Sequence, residues 1–199
     1  MKRQVSVPIS VDTWKSSVAS AAIEAGASII NDVWGLRRDP RVADIASKTG
    51  SGLIMMFNAT DPVFAPKSED IVSDAVKYLT ESIRTARNAG VKDDQMMIDP
   101  GIGFGVTTQE SLLLIRSLPA FKKMGFPVLI GPSRKRFIGD VLDEPVDRRI
   151  IGTVAACCIG SCLGASAVRV HDVLEVTDEN KRRYYALIER GGHADENSF

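Results

Sequence analysis

An α/β fold of serial strand–helix units is the architecture this sequence predicts, and three observations predict it. Short, almost wholly apolar runs recur along the 199 residues, with a period of about 30 residues, the length of a β/α unit. Each run is followed by a segment with helical patterning. Gly26, Gly50, Gly90, Gly125 and Gly164 each stand just before a strand, where the glycine that ends a helix belongs.

In chain order, Val7–Asp12 predicts a strand and Lys15–Ala25 a helix; Ser28–Val33 leads to helix Arg41–Thr49. Gly52–Phe57 leads through a loop to helix Ser68–Ala89, and Gln95–Asp99 to helix Gln109–Lys123. Pro127–Gly131 leads to helix Val146–Leu163, and Ala167–His171 to a last helix, Leu174–Glu189. The strands are nearly all apolar, as strands buried on both faces are. Such units in series make either an open doubly wound sheet or a barrel. A complete barrel takes eight units and about 250 residues, and only six units are legible here. Residues 1–190 read as one domain and residues 191–199, with His193, as a polar tail.

Lys plus Arg and Asp plus Glu each total 25, so the chain carries no net charge. That argues against a nucleic-acid binder whose affinity comes from a basic face. The apolar stretch from Ile150 to Val170 contains Gly, Ser, Thr and Cys and reads as a buried helix plus a strand, so no membrane span is expected. Val5 to Ile9 is too short for a signal peptide and is broken by Pro8; a cytoplasmic protein is expected. Cys157, Cys158 and Cys162 lack Cys/His partners at ligand spacing and read as small thiols packing a helix. Met55, Met56, Met96 and Met97 read as core, and Trp14 and Trp34 as residues of a pocket mouth or of helix packing.

The segment Asp99-Pro100-Gly101-Ile102-Gly103-Phe104-Gly105 follows an apolar run. A buried strand there delivers a carboxylate to its C-terminal end, and a glycine-rich loop permits close approach to the backbone. Parallel α/β folds place ligands at such strand ends. The polar residues near strand C-termini are Asp12, Asn31, Asn58, Asp99, Ser133, Arg134, Lys135, Arg169 and His171. Carboxylates and an amide suit a flat heterocycle with several N–H donors. Arg169 and His171, two apart and so on one face, together with Lys135 and Ser133 suit an anion. Each has a plainer reading: Asp12 as a helix cap, Asn31-Asp32 as a turn, Arg134-Lys135-Arg136 as a solvated charge run. Arg169 and His171, if buried, need partners.

Five segments in order carry a family resemblance: Ile9-Ser10-Val11-Asp12-Thr13; Ile29-Ile30-Asn31-Asp32-Val33; Asp99 to Gly105; Ser133-Arg134-Lys135 with Phe137-Ile138-Gly139; and Val168-Arg169-Val170-His171-Asp172. From about Val7 to Glu189 the chain resembles dihydropteroate synthase. The resemblance implies a pterin-binding (β/α)8 TIM-type barrel, here an incomplete one of about six units corresponding to strands 3–8. It implies condensation of 6-hydroxymethyl-7,8-dihydropterin diphosphate with 4-aminobenzoate, giving 7,8-dihydropteroate and pyrophosphate, with Mg²⁺ on the diphosphate and commonly a homodimer.

By position in these segments, Asp12, Asn31, Asp99, Lys135 and Arg169 would hold the pterin. Arg169 and His171 would hold the pyrophosphate, and Phe104, Ser133 and Lys135 would border the aminobenzoate. Asp99, Lys135 and Arg169 would carry the catalysis. No metal ligand is assigned, because the family's metal-binding Asn lies in the loops of two leading strands that have no counterpart here. On that reading residues 1–6 are the end of the preceding helix. The chain departs from the family pattern at Val106, usually Lys, and at Phe57, often His. Two alternatives stay open: a methyltetrahydrofolate-dependent methyltransferase, which shares the pterin readers but has no diphosphate to clamp, and a non-catalytic pterin-binding remnant or subunit.

Overall fold

The computed structural model describes residues 5–63 and 69–176. Among them six strands follow one another in parallel. β1 (Ser10–Asp12), β2 (Ile29–Asp32), β3 (Gly52–Met56) and β4 (Met96–Asp99) pair in sequential order. β5 (Leu129–Ile130) pairs with β6 (Ala167–Val168). A parallel bridge between Ile98 and Val128, with the Ile98 N–H donating to the Pro127 carbonyl at 3.0 Å, joins the two groups. Each strand neighbours the next in sequence. That is the order of a barrel wall; a doubly wound sheet reverses order at a switch point. β1 and β6 are not paired with each other among the described residues, so the wall is open on one side.

The register sets what faces inward. Asp12 pairs with Asn31, Asn31 with Ile54, and Met56 with Asp99. Because side chains alternate along a strand, these residues share one face. That face lines a cleft of 1210 Å³, whose walls include Ser10, Ile29, Asn31, Ile54, Leu129 and Arg169. The opposite face carries Ile30, Leu53, Met55, Ile98 and Ile130, which pack against Ala19, Val42, Ala46, Leu79, Leu114 and Leu118 of the helices. Each fully buried Leu, Ile or Met contributes about 1.5–3 kcal/mol, so this outer interface holds the helices to the wall.

The helices are α1 (Ser16–Glu24), α2 (Arg41–Thr49), α3 (Ile71–Asn88), α4 (Thr108–Arg116), α5 (Leu118–Lys122), α6 (Arg136–Leu142) and α7 (Ile150–Cys162). Asp70 caps α3 by accepting from the Val72 and Ser73 N–H groups. Thr107 and Glu110 form a reciprocal capping box on α4. α1 has no side-chain cap of its own; Asp39 serves it from 23 residues away, accepting from the Ser16 N–H at 3.0 Å and hydroxyl at 2.7 Å. The glycines at the five predicted helix ends all have positive φ.

The structure corrects several boundaries. The single helix expected over Gln109–Lys123 breaks at Ser117, because Pro119 near the start of α5 has no N–H to continue the ladder. α6, a helix of seven residues, lies between the expected strand Pro127–Gly131 and the expected helix from Val146, where no element was expected, and buries Phe137 and Ile138. The helix expected from Val146 opens with a separate 3₁₀ turn, Val146–Arg148. β6 ends at Val168 rather than His171. Val5 and Ser6 are not helical. Residues 1–4, the last expected helix beyond Val176, and the tail lie outside the described residues. Among the described residues no helix is long and apolar enough to cross a membrane.

Candidate functional site

The pairing of β1 with β2 places Asp12 beside Asn31, and the Asn31 Nδ2 donates to Asp12 Oδ1 at 2.9 Å. Arg169, just past β6, reaches across the open side and donates to Asp12 Oδ2 at 2.5 Å. Asp12 therefore does not cap α1. Asn31 is 6% exposed, and its Oδ1 is buried without a hydrogen-bond partner among the described residues. A buried acceptor in this state is costly unless a donor is supplied from outside the chain.

Asp99 ends β4 with its carboxylate buried. Its Oδ1 accepts the Gly101 N–H at 2.8 Å, while the Phe57 N–H donates to its carbonyl at 2.9 Å. Gly101 has φ +73°, and a Cβ there would fall 1.9 Å from the Phe57 carbonyl oxygen; only glycine fits. Lys135 enters the same corner, donating through Nζ to the Ile102 carbonyl and lying 4.2 Å from the Phe104 ring centroid. Gly103 leaves room for it, since a Cβ there would meet Lys135 Cδ at 2.5 Å.

Burial pushes the Asp99 carboxyl up from 3.8 to about 6, opposed by Lys135, by the Gly101 N–H and by Arg169. Burial pushes the Lys135 ammonium down to about 8, opposed by Asp99 and reinforced by Arg169. At pH 7 each is about nine-tenths charged. The result is a buried carboxylate and a half-buried ammonium, each about one pH unit from losing its charge.

The loop after β5 is pinned to the segment after β6. Ser133 Oγ lies 2.8 Å from His171 Nδ1 and accepts the His171 N–H at 3.1 Å. Arg134 donates bidentately to Asp172, at 2.8 Å from Nε and 2.5 Å from Nη2. Its backbone is left-handed, φ +54°, which costs a side-chain-bearing residue about 1–2 kcal/mol. The Thr153 hydroxyl accepts the Arg134 N–H at 2.9 Å, and Arg149 Nη1 donates to its carbonyl at 3.2 Å.

The structure thus brings together Asp12, Asn31 and Arg169 directly, Asp99 with Lys135 and Arg169 electrostatically, Lys135 with Phe104, and Ser133 with His171. It does not keep Arg169 and His171 on one strand face: the strand ends before both, and Arg169 turns to Asp12 while His171 turns to Ser133. Asn58 belongs to a turn, donating to the Val33 carbonyl and accepting from Thr60. The charge run divides: Arg134 is paired, Lys135 is in the site, and Arg136 is largely exposed.

Sequence reasoning offered Asn31-Asp32 as a turn but missed the burial of Asp32, which is fully buried and accepts the Trp34 and Leu36 N–H groups at 2.8 and 2.9 Å. Burial pushes its carboxyl up to about 6. An acid followed three residues later by Gly35 was the available signal. It also missed the partners of Arg134, which no local pattern reveals. Among the described residues no three His, Cys, Asp or Glu side chains converge on a metal position.

Comparison with known proteins bears on this arrangement. The family described as pterin binding enzyme matches residues 1–171. Dihydropteroate synthase of Bacillus subtilis is 42% identical over 190 residues, covering 96% of the chain and 65% of that protein. The chain spans just under two thirds of that relative's length. A Xanthomonas albilineans dihydropteroate synthase structure in complex with 7,8-dihydropteroate superposes with a TM-score of 0.85 at 36% identity, covering 94% of this chain and 69% of that one. The same enzyme with 4-aminobenzoic acid gives a TM-score of 0.84 at 37% identity over the same shares.

Proposed function

The chain belongs to the pterin-binding enzyme family, and from that premise we propose that it is the pterin- and pyrophosphate-binding part of a dihydropteroate synthase. The reaction joins 4-aminobenzoate to 6-hydroxymethyl-7,8-dihydropterin diphosphate and yields 7,8-dihydropteroate and pyrophosphate. The observation that carries the reading is the orphaned Asn31 Oδ1 beside the Asp12 carboxylate, with a second carboxylate, Asp99, on the same face. Three acceptors on one face of the wall match the N–H-rich edge of a pterin. The relatives' complexes with dihydropteroate and 4-aminobenzoic acid support the same substrates.

The residues suit the chemistry. As the bond from the pterin methylene to the diphosphate oxygen breaks, positive charge develops on the ring. Ionised Asp99 stabilises that charge from a site with little water. Arg169 and His171 take the negative charge on departing pyrophosphate; for this Arg169 exchanges its contact with Asp12 for the leaving group. The aromatic amine then attacks the methylene, a carbon–nitrogen bond forms, and the amine proton leaves to solvent or pyrophosphate. Phe104, Ser133 and Lys135 border the amine's ring. No covalent enzyme intermediate is required.

Mg²⁺ would neutralise charge on the diphosphate; no step above depends on it. A homodimer fits the apolar surface of α6 and α7, where Ile151 is exposed and exposed Val141, Leu142 and Ile159 line a groove of 340 Å³. A biosynthetic enzyme with small-molecule substrates fits the cytoplasm, with no nucleic acid or membrane engaged, and residues 1–190 fit one pterin-binding domain.

The test is titration of the purified protein with 6-hydroxymethylpterin and with inorganic pyrophosphate, alongside assay of dihydropteroate formation. Binding of both, weakened by Asp12→Ala and Arg169→Ala respectively, is expected. Pterin binding without pyrophosphate binding would favour a methyltransferase. Binding of neither would refute the reading.

A further inference from the structure

Resting on that reading, we infer that the Arg134–Asp172 pair is a clamp that sets pyrophosphate affinity without touching pyrophosphate. Neither residue is among those assigned to a substrate; both flank residues that are. Arg134 stands between Ser133 and Lys135, and Asp172 follows His171. Two contacts, Ser133 with His171 and Arg134 with Asp172, therefore run side by side between the loop after β5 and the segment after β6. The first is made by groups that must also meet the ligand. The second is made by groups joined directly to each other, through two charge-assisted bonds at 2.8 and 2.5 Å. Such a fork fixes orientation as well as distance.

The backbone supports the same role. Arg134 is held in a left-handed conformation by the Thr153 hydroxyl and the Arg149 guanidinium, both fixed around the start of α7. Strained residues persist where their surroundings over-determine them, and they gather where a site needs one geometry. Here the strain lies at the residue that turns the chain between two site side chains. Asp172 is 14% exposed at its side chain and Arg134 31%, so the pair is sheltered from screening more than the Arg169–Asp12 pair at the mouth.

Positioning and simple charge counting predict opposite signs. Asp172→Asn removes a negative charge and leaves Arg134 uncompensated beside the anion site. If charge alone mattered, pyrophosphate would bind more tightly. If the pair positions Ser133 and His171, pyrophosphate binds more weakly. Arg134→Lys keeps the charge but loses the fork; charge counting predicts no change and positioning predicts weakening.

The experiment is calorimetric titration with inorganic pyrophosphate, and separately with 6-hydroxymethylpterin, of the parent protein, both single variants and the double variant. Each single variant is expected to weaken pyrophosphate about tenfold, to leave pterin affinity within about twofold, and to be no worse in combination, as residues acting as one unit behave. Unchanged pterin binding shows that the variant is folded, since that site draws on Asp12, Asn31 and Asp99 of β1, β2 and β4 as well as on Lys135 and Arg169. Tighter or equal pyrophosphate binding in Asp172→Asn, or equal binding in Arg134→Lys, overturns the clamp while the proposed function stands. A parent that binds no pyrophosphate overturns both.

Discussion

Replacing Asp99 by Asn should stabilise the fold at neutral pH while disabling the site. The carboxyl rises from 3.8 to about 6 because burial opposes its charge. For an acid raised in the folded state, the stability it contributes is fully present below 3.8 and is lost as pH rises through about 6. At about 1.36 kcal/mol per unit, the loss amounts to about 3 kcal/mol by pH 7 but only about 0.5 kcal/mol at pH 4.

Asn has the same shape, still accepts the Gly101 N–H through its oxygen, and carries no charge to bury. Lys135 owes part of its value near 8 to the Asp99 carboxylate, so in the variant its ammonium titrates lower, and losing that proton toward pH 7 adds to the variant's gain. Urea denaturation of both proteins at pH 4 and pH 7 reads the effect: the variant should gain about 2–3 kcal/mol on the parent between the two. Turnover should fall more than pterin affinity does, because the lost charge acts on the cation formed during reaction. A stability difference that is the same at pH 4 and pH 7 would refute the reasoning, since it would mean that Asp99 is ionised in the fold at no cost.

Two further expectations follow from the same corner. Pterin affinity should be highest between pH 6 and 8, falling below as Asp99 protonates and above as Lys135 loses its proton; fluorescence titration from pH 5 to 9 that shows no dependence would contradict it. Gly50 and Gly101 form a matched pair, at φ +70° and +73°, with open space around the first and the Phe57 carbonyl 1.9 Å from an added Cβ at the second. Gly50→Ala should cost about 1 kcal/mol and keep pterin binding. Gly101→Ala should cost about 3 kcal/mol or more and lose it, because the backbone that seats Asp99 must move; equal melting temperatures for the two would count against this account.

Much of the wall was readable because its signals are local. Apolar runs, glycines at helix ends and the Thr107–Glu110 box each report within a few residues, and the α2 boundaries agree with expectation at both ends. The inward acids were readable for the same reason: Asp12 and Asp99 each end an apolar run. Where expectation failed, the deciding contact was distant or the element small. α6 is only seven residues and begins inside a charge run, so no helix was legible there. Pro119 did signal the break between α4 and α5, but the apolar spacing runs through it. The pairing of Arg134 with Asp172, and the service of Asp39 to α1, span 38 and 23 residues and leave no trace in periodicity. The orphaned oxygen of Asn31 is visible only once the register has placed its amide nitrogen on Asp12.

The contact between Arg169 and Asp12 joins residues 157 positions apart, whereas the sheet pairs only strands adjacent in sequence. Among the described residues the wall is therefore a chain of local links, its open side bridged by one exposed clasp whose two side chains are 55% and 45% accessible, in solvent where charges are screened within about 8 Å. Releasing such a clasp breaks no sheet hydrogen bond. The mouth can part while the wall persists, so breathing at β1 and β6 becomes an event separate from unfolding, with its own smaller free energy. The central strands β2 and β3, each flanked on both sides, stay closed through it. The residues that meet the ligand are thereby divided between a rigid floor and two hinged edges, and a ligand that draws on both reports on the closure of the ring.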